Sequence, residues 1–227
     1  MDWSAIELSL WVAGVATLLN LLLGGSLAYL LARRDFAGKS LLEALLTLPM
    51  VLPPTVVGYY LLVLLGRHST IGTALESWFG IRLIFTIEGA IIAAMVVTFP
   101  LVLKPARAAF EAVDPQLLQA AKVLGLNNLA VFCRISLPLA WRGILAGLML
   151  AFARAMGEFG ATLMLAGSIP GKTQTLSIAI YEAVQAGDQQ SANALVLVTS
   201  GLCVALLLLA QWLTRRTSVG SHVNSRG

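Results

Sequence analysis

Five long apolar runs govern what this chain can become. They are about Ile6 to Leu31, Leu41 to Leu65, Ile84 to Leu103, a stretch within Leu137 to Gly167, and Ala194 to Leu213. A helix of about 20 residues crosses the roughly 30 Å hydrocarbon core of a bilayer, and each run is long enough. A soluble fold would have to hide all five. Charged residues make up only 11% of the 227, against about 25% in soluble domains, so no polar coat is available. Only helices and closed barrels satisfy their backbone in lipid, and no period-two alternation marks barrel strands. The expected fold class is an all-α integral membrane protein with about five spans.

The fourth run is too long for one straight crossing. From Leu137 to Gly167 it would reach roughly 46 Å as a single helix. It contains Gly157-Glu158-Phe159-Gly160, whose glycines can break it. A span followed by a short re-entrant segment is expected, with room for a sixth, partial crossing. Thr173 to Gln185 reads as an interfacial helix outside the core. Trp3, Trp11, Trp78, Trp141 and Trp212 fall near span ends, where an amphipathic indole is stable.

Lysine and arginine set the orientation. Arg33, Arg34 and Lys39 lie between runs one and two; Lys104, Arg107, Lys122, Arg134 and Arg142 lie between runs three and four; Arg215, Arg216 and Arg226 follow the last run. The other side holds Arg67, Arg82 and Lys172. This bias of eleven to three puts the N-terminus outside and the C-terminus in the cytoplasm, as an odd number of spans requires. The N-terminus has no basic n-region, so the first run is expected to be a retained span rather than a cleaved signal. Residues 217–227 read as a polar, disordered tail.

Chemistry-bearing clusters are sparse. Cys133 and Cys203 are too few for a disulfide framework, and His68 and His222 stand alone in polar segments. No metal site is expected. Gly171-Lys172-Thr173 approaches a phosphate loop, but Ala166 stands where that pattern needs its first glycine, and no strand precedes it. ATP binding by this chain is not expected. The net charge of +4 gives no nucleic-acid face.

The loop between runs three and four is the most informative. Asp114-Pro115 is a helix start, an N-cap acceptor followed by proline at the first helical position. Gln116 to Leu124 then reads as a helix stopped by Gly125, with Leu117, Ala120, Ala121 and Leu124 on one face. Asn127 or Asn128 caps a second helix, Leu129 to Ser136, and Pro138 either ends it or opens the next span. The expectation is two short helices joined at a glycine corner, tied at both ends to spans.

Gln119-Ala120-Ala121, three residues, Gly125, nine residues and Ile135-Ser136-Leu137-Pro138 have the spacing of the cytoplasmic motif of ABC importer permeases. The chain resembles that family, with Gln119 where the family usually carries glutamate. The resemblance implies a type I ABC importer transmembrane domain over residues 1–216, with a coupling loop at 112–138. It marks Gln119, Ala120, Ala121, Gly125, Ile135, Leu137 and Pro138 as the ATPase-coupling set. Leu48 to Leu62, with Pro49, Pro53, Pro54, Thr55 and Gly58, is similar to the proline-rich second span of sulfate, tungstate and molybdate permeases. Phe152 to Thr162 is similar to their GEFGAT segment and supplies Arg154, Glu158, Phe159 and Gly160. The length and the Gly58 to Arg67 stretch look most like the molybdate branch. The resemblance further implies a second permease copy as partner, two ATP-burning subunits, a periplasmic oxyanion-binding protein, and no cofactor on this chain. It implies residence in the bacterial inner membrane.

Two readings stay open at each pathway element. Pro53 and Pro54 either bend a helix lining the permeation path, with Thr55 offering a hydroxyl, or make a packed structural kink. Arg154 and Glu158, four apart on one helix face, either tune and gate an anion path or pair to hold the break at Gly157. Two rival functions find less support in the sequence. An intramembrane enzyme would need a nucleophile–base or metal constellation, and apart from Glu7, Glu43 and Glu88 near the ends of their runs the spans hold only Glu158 as a strong acid. An ion-coupled secondary transporter would show inverted repeats and paired intramembrane carboxylates, and neither is visible.

Overall fold

The computed structural model describes residues 3–67 and 69–216; the expected tail at 217–227, His68, His222, Arg226 and the side chain of Trp212 lie outside the described residues. Among the described residues the fold is helical throughout, with no strand. The apolar runs form α1 (Ser4–Arg33), α2 (Lys39–Val51), α3 (Pro54–Leu65), α5 (Ile87–Glu111), α8 (Leu137–Met156), α9 (Gly160–Ala166) and α11 (Gln189–Arg216). Shorter polar-flanked helices are α4 (Thr70–Phe79), α6 (Pro115–Val123), α7 (Asn128–Val131) and α10 (Leu176–Gln185).

Among the described residues four helices are long and apolar enough to cross a membrane: α1, α5, the continuous helix Asn128–Met156 that contains α8, and the Gln189–Leu206 part of α11. Their relative directions follow from contacts. Gly24 of α1 abuts Phe99 and Val102 of α5, and Arg33 donates to the Phe110 carbonyl at 2.9 Å, so these two helices run parallel. Gly143 of α8 meets Ala109 while Gly147 meets Leu101 and Val102, so α8 runs antiparallel to α5. This is the pattern expected of spans one, three and four.

The second run is not one straight span. It breaks at Leu52-Pro53 into α2 and α3, bent by 117°. Pro54 opens α3 at its first position, where a missing N–H costs nothing. The break expected at Gly157 is present, and α9 beyond it is only 7 residues long, roughly 10 Å, too short to cross. The interfacial helix expected from Thr173 begins at Leu176, with Leu176 and Ile178 buried.

The core is built largely of alanine. Val12, Ala13, Ala16, Ala90, Ala94, Ala155 and Met156 fill one end, and Ala28, Leu31, Leu103, Ala106, Phe110, Ala140 and Ile144 fill the other. Small residues let helix backbones approach, which is how helices associate where lipid already solvates their apolar side chains. The spacing Gly143-x-x-x-Gly147 does this on α8. A Cβ on Gly147 would stand 2.9 Å from the Leu101 carbonyl oxygen and 3.3 Å from Val102 Cα, both backbone. Gly147→Leu is therefore expected to push α8 off α5, at a cost of about 1–3 kcal/mol or more. Size-exclusion profiles of the detergent-solubilised variant check this; a wild-type monodisperse peak at wild-type yield would refute it.

One polar tie crosses this core. Asn20, fully buried, donates through Nδ2 to the Met95 carbonyl (3.1 Å) and to Thr98 Oγ1 (2.9 Å). It fixes the axial register of α1 on α5, since sliding would strand buried polar groups.

Candidate functional site

The segment from α5 to α8 forms an elbow. Asp114 caps α6 by accepting from the Gln116 N–H at 2.8 Å. The helix ends at Gly125 in a Schellman turn: the Leu126 N–H reaches the Ala121 carbonyl (3.1 Å) and the Gly125 N–H the Lys122 carbonyl (3.0 Å). Gly125 has φ +86°, a left-handed conformation that glycine adopts freely. Asn127 then caps α7 through the Ala130 N–H at 2.8 Å.

The second elbow helix departs from expectation. It does not run as a separate helix over Leu129 to Ser136. Four α-helical residues, Asn128–Val131, lead into a π-turn at Phe132–Ser136 and straight on into α8. Pro138 falls in the first turn of α8 and ends nothing. An aromatic trio anchors this turn: Tyr29 of α1 meets Phe132 edge-on at 4.7 Å and Phe110 of α5 at 5.2 Å.

Of the elbow residues singled out in the sequence, Gln119, Ala120, Gly125 and Pro138 are exposed, Ile135 is half-buried, Leu137 is partly exposed, and Ala121 is buried. Around them stand large apolar side chains open to the surroundings, Leu117, Val123, Leu124 (79% exposed) and Leu129. A helix whose apolar residues face outward at a tight corner is a surface for a partner.

The two other sequence segments, about a hundred residues apart, fold against each other. Gly58 of α3 faces α9 so closely that a Cβ would sit 2.8 Å from both Ala161 Cα and Met164 Cβ. Gly160 faces back onto Thr55 and Pro54, where a Cβ would meet Thr55 Cγ2 at 3.0 Å. Val57, Ala161 and Leu165 then pack with Ala93 and Val97 of α5. This α3–α9 knuckle brings together Pro54, Thr55, Gly58 and Gly160. Pro53, exposed, stands at its entry as the N-cap of α3. Phe159 turns the other way, its ring 4.9 Å from that of Tyr181 on α10.

Glu158 lies at the N-terminus of α9 with its side chain 1% exposed. Its Oε1 accepts from the Ala161 N–H at 2.9 Å, which caps the helix. Its Oε2 lies 2.7 Å from Arg154 Nη1, a charge contact without hydrogen-bond alignment. The Arg154 side chain is 38% exposed and that of Glu158 buried. The pair spans the break between α8 and α9 and carries no net charge when both groups are ionised. Glu158→Ala removes the cap, worth about 1 kcal/mol. It is expected to lower the thermal midpoint by roughly 2–4 °C. Glu158→Gln keeps an acceptor and is expected to fall less. Equal losses in thermal unfolding would show that charge, not capping, is what matters.

A cavity of about 970 Å³ lies beside the knuckle, between the end of α3, α4 and the 81–85 turn. Arg67 and Arg82 converge there on Glu76, at 3.8 and 2.7 Å.

Sequence and structure comparisons agree with this layout. Residues 20–219 match the family model described as the inner membrane component of binding-protein-dependent transport systems. The chain is 46% identical to the molybdenum transport system permease protein ModB of Escherichia coli (strain K12), over 94% of both chains. It is 44% identical to a putative molybdenum transport system permease of Bacillus subtilis (strain 168), over 92% of each. It is 36% identical to the sulfate transport system permease CysW of Synechocystis, over 96% of this chain and 78% of the other. Among solved structures it superposes on a bacterial alginate ABC transporter chain with TM-score 0.76 at 18% identity, covering 94% of this chain and 78% of that one. It superposes on the MetNI methionine ABC transporter with TM-score 0.71 at 14% identity, covering 95% of each. With its transmembrane helices, its glycine-cornered elbow and a match over nearly its whole length, the chain belongs to the family of inner membrane components of binding-protein-dependent transport systems.

Proposed function

We propose that this chain is the permease subunit of an ATP-driven importer that carries molybdate into the cytoplasm. The observation that carries the permease reading is the elbow: a capped helix, α6, with Leu117 and Leu124 turned outward and both ends tied to long helices. Molybdate is favoured over sulfate by the higher identity to molybdenum permeases than to the sulfate permease, 46% against 36%. Two copies form the path. Two ATPase subunits press on the elbows through Gln119, Ala120, Ala121, Gly125, Ile135, Leu137 and Pro138. A periplasmic binding protein delivers the anion and supplies most of the selectivity. The path runs past Pro53, Pro54, Thr55, Gly58 and Gly160, with Arg154, Glu158 and Phe159 holding the helix break beside it. The N-terminus faces the periplasm and the C-terminus the cytoplasm, as the lysine and arginine bias supports. The chain itself binds no cofactor, and ATP is hydrolysed on the partner subunits.

Proteoliposomes holding this chain with its ATPase and binding protein test the reading. Molybdate uptake is expected only with hydrolysable ATP and is expected to be insensitive to ionophores. Uptake that follows an ion gradient without ATP would overturn it. Sulfate taken up at least as fast as molybdate would overturn the substrate assignment alone.

A further inference from the structure

We propose that Arg107 is a positioning residue that carries movement of the elbow into the α2–α3 arm through its ion pair with Glu43. The inference rests on the ATP-driven permease reading given above. Arg107 Nη1 lies 2.5 Å from Glu43 Oε1 of α2, and its Nε donates to Glu111 Oε1 on its own helix at 2.7 Å. The two carboxylates hold the guanidinium plane from different sides, a fixed fork rather than a loose contact. Arg107 and Glu43 side chains are 27% and 28% exposed, so water screens them only in part.

Within the single chain none of the residues of α2 is buried, and it lies chiefly against α5, with the end of α1 nearby. Leu42 and Leu46 supply apolar packing against the core. Such packing resists separation but permits sliding along the axis. A cavity of about 300 Å³, lined by Ser40, Thr47, Leu103 and Lys104 as well as by the pair, shows that side chains do not fill this interface. The Arg107–Glu43 contact therefore bridges a gap, and it is the directional tie between the helices.

Its place in the chain gives the tie a use. Arg107 lies in the last turns of α5, and only Ala112–Asp114 separates that helix from α6. Glu43 lies on α2, which leads through the 117° bend at Leu52-Pro53 into α3. Gly58 of α3 is seated on α9. The elbow thus reaches the knuckle by two arms. One runs from α6 through α5, Arg107, Glu43 and α2 to α3. The other runs from α7 through α8 and the Glu158 cap to α9. The first arm depends on a side-chain contact, and at the bend a push along α2 becomes a sideways push of α3 on α9.

The test is the number of molybdate ions imported per ATP hydrolysed by the reconstituted complex. Arg107→Gln and Glu43→Gln are each expected to lower this ratio by about fivefold or more, with binding-protein-stimulated hydrolysis within about twofold of wild type. The exchanged pair, Arg107→Glu with Glu43→Arg, is expected to restore at least about half of the wild-type ratio. A purely structural role would lower hydrolysis and uptake together and leave the ratio unchanged, and that result overturns the inference. If the single variants fail to assemble, the exchanged pair decides: recovery of the ratio supports the strut, and a ratio still reduced in an assembled complex overturns it. An unmodified complex without ATP-driven uptake would strike the proposed function, whereas an unchanged ratio strikes this inference alone.

Discussion

Gly58→Val is expected to abolish uptake while leaving the permease inserted and bound to its ATPase. The reason is the distance of 2.8 Å from an added Cβ to Ala161 Cα. That atom is backbone, so no rotamer change relieves the contact, and α3 must lift off α9. A displacement of about 1 Å in a positioned site commonly costs on the order of a hundredfold in rate, and a loss of that order is expected here. Gly58→Ala meets the same atom with less bulk beyond it and is expected to fall between. Gly58 lies far along the chain from the elbow, so association with the ATPase should survive. Uptake normalised to inserted protein, alongside a pull-down of the ATPase, checks both halves. Wild-type uptake by the valine variant would mean that the knuckle is not on the path.

Gly125→Val is expected to lose ATPase association as well as uptake. Nothing lies within 4 Å of a Cβ built there, so no collision is involved. The penalty is the backbone: φ of +86° is an outlier for a β-branched residue, and such strain costs of the order of 1–3 kcal/mol. The Schellman turn should open, α6 should lose its angle to α7, and ATPase association and uptake should fall together by about tenfold or more. Gly125→Asn separates conformation from surface chemistry, because asparagine enters the left-handed region more readily. It is expected to keep most of the association. Equal damage from valine and asparagine would indicate that bulk at the docking surface, not the turn, is decisive.

The long helices were legible because their physics is local. A run of about twenty apolar residues has few other fates, and α1, α5, α8 and α11 lie where the runs are. The elbow's first half was equally legible, since Asp114, Pro115 and Gly125 act on their own neighbours. The bend at Pro53 could be located but not measured. Proline says where helix hydrogen bonds stop, while the angle of 117° is set by where α3 finds packing, and that partner, α9, lies about a hundred residues on. The seating of Gly58 on Ala161 has no local sign at all. The same holds for Glu43 and Arg107, two ordinary loop-side charges until the fold makes them neighbours. Gly143 and Gly147 are different: their spacing is a recognised close-packing pattern with a local sign in the sequence. Pro138 opens the next span, one of its two readings, and the end expected for the second elbow helix at Ser136 is absent because a π-turn carries the chain on into α8 without a break.

The π-turn at Phe132–Ser136 has a geometric consequence. There the Leu137 amide reaches back to the Phe132 carbonyl, five residues away, and Pro138 has no amide to offer an α-helical partner. One additional residue is thereby inserted into the winding, and at 3.6 residues per turn that rotates everything before it by about 100° relative to everything after it. The azimuth at which Leu129 and its neighbours leave the bilayer-crossing rod is thus set by that one inserted residue, and removing a single residue within 132–136 would be the smallest change able to turn the elbow about its own shaft.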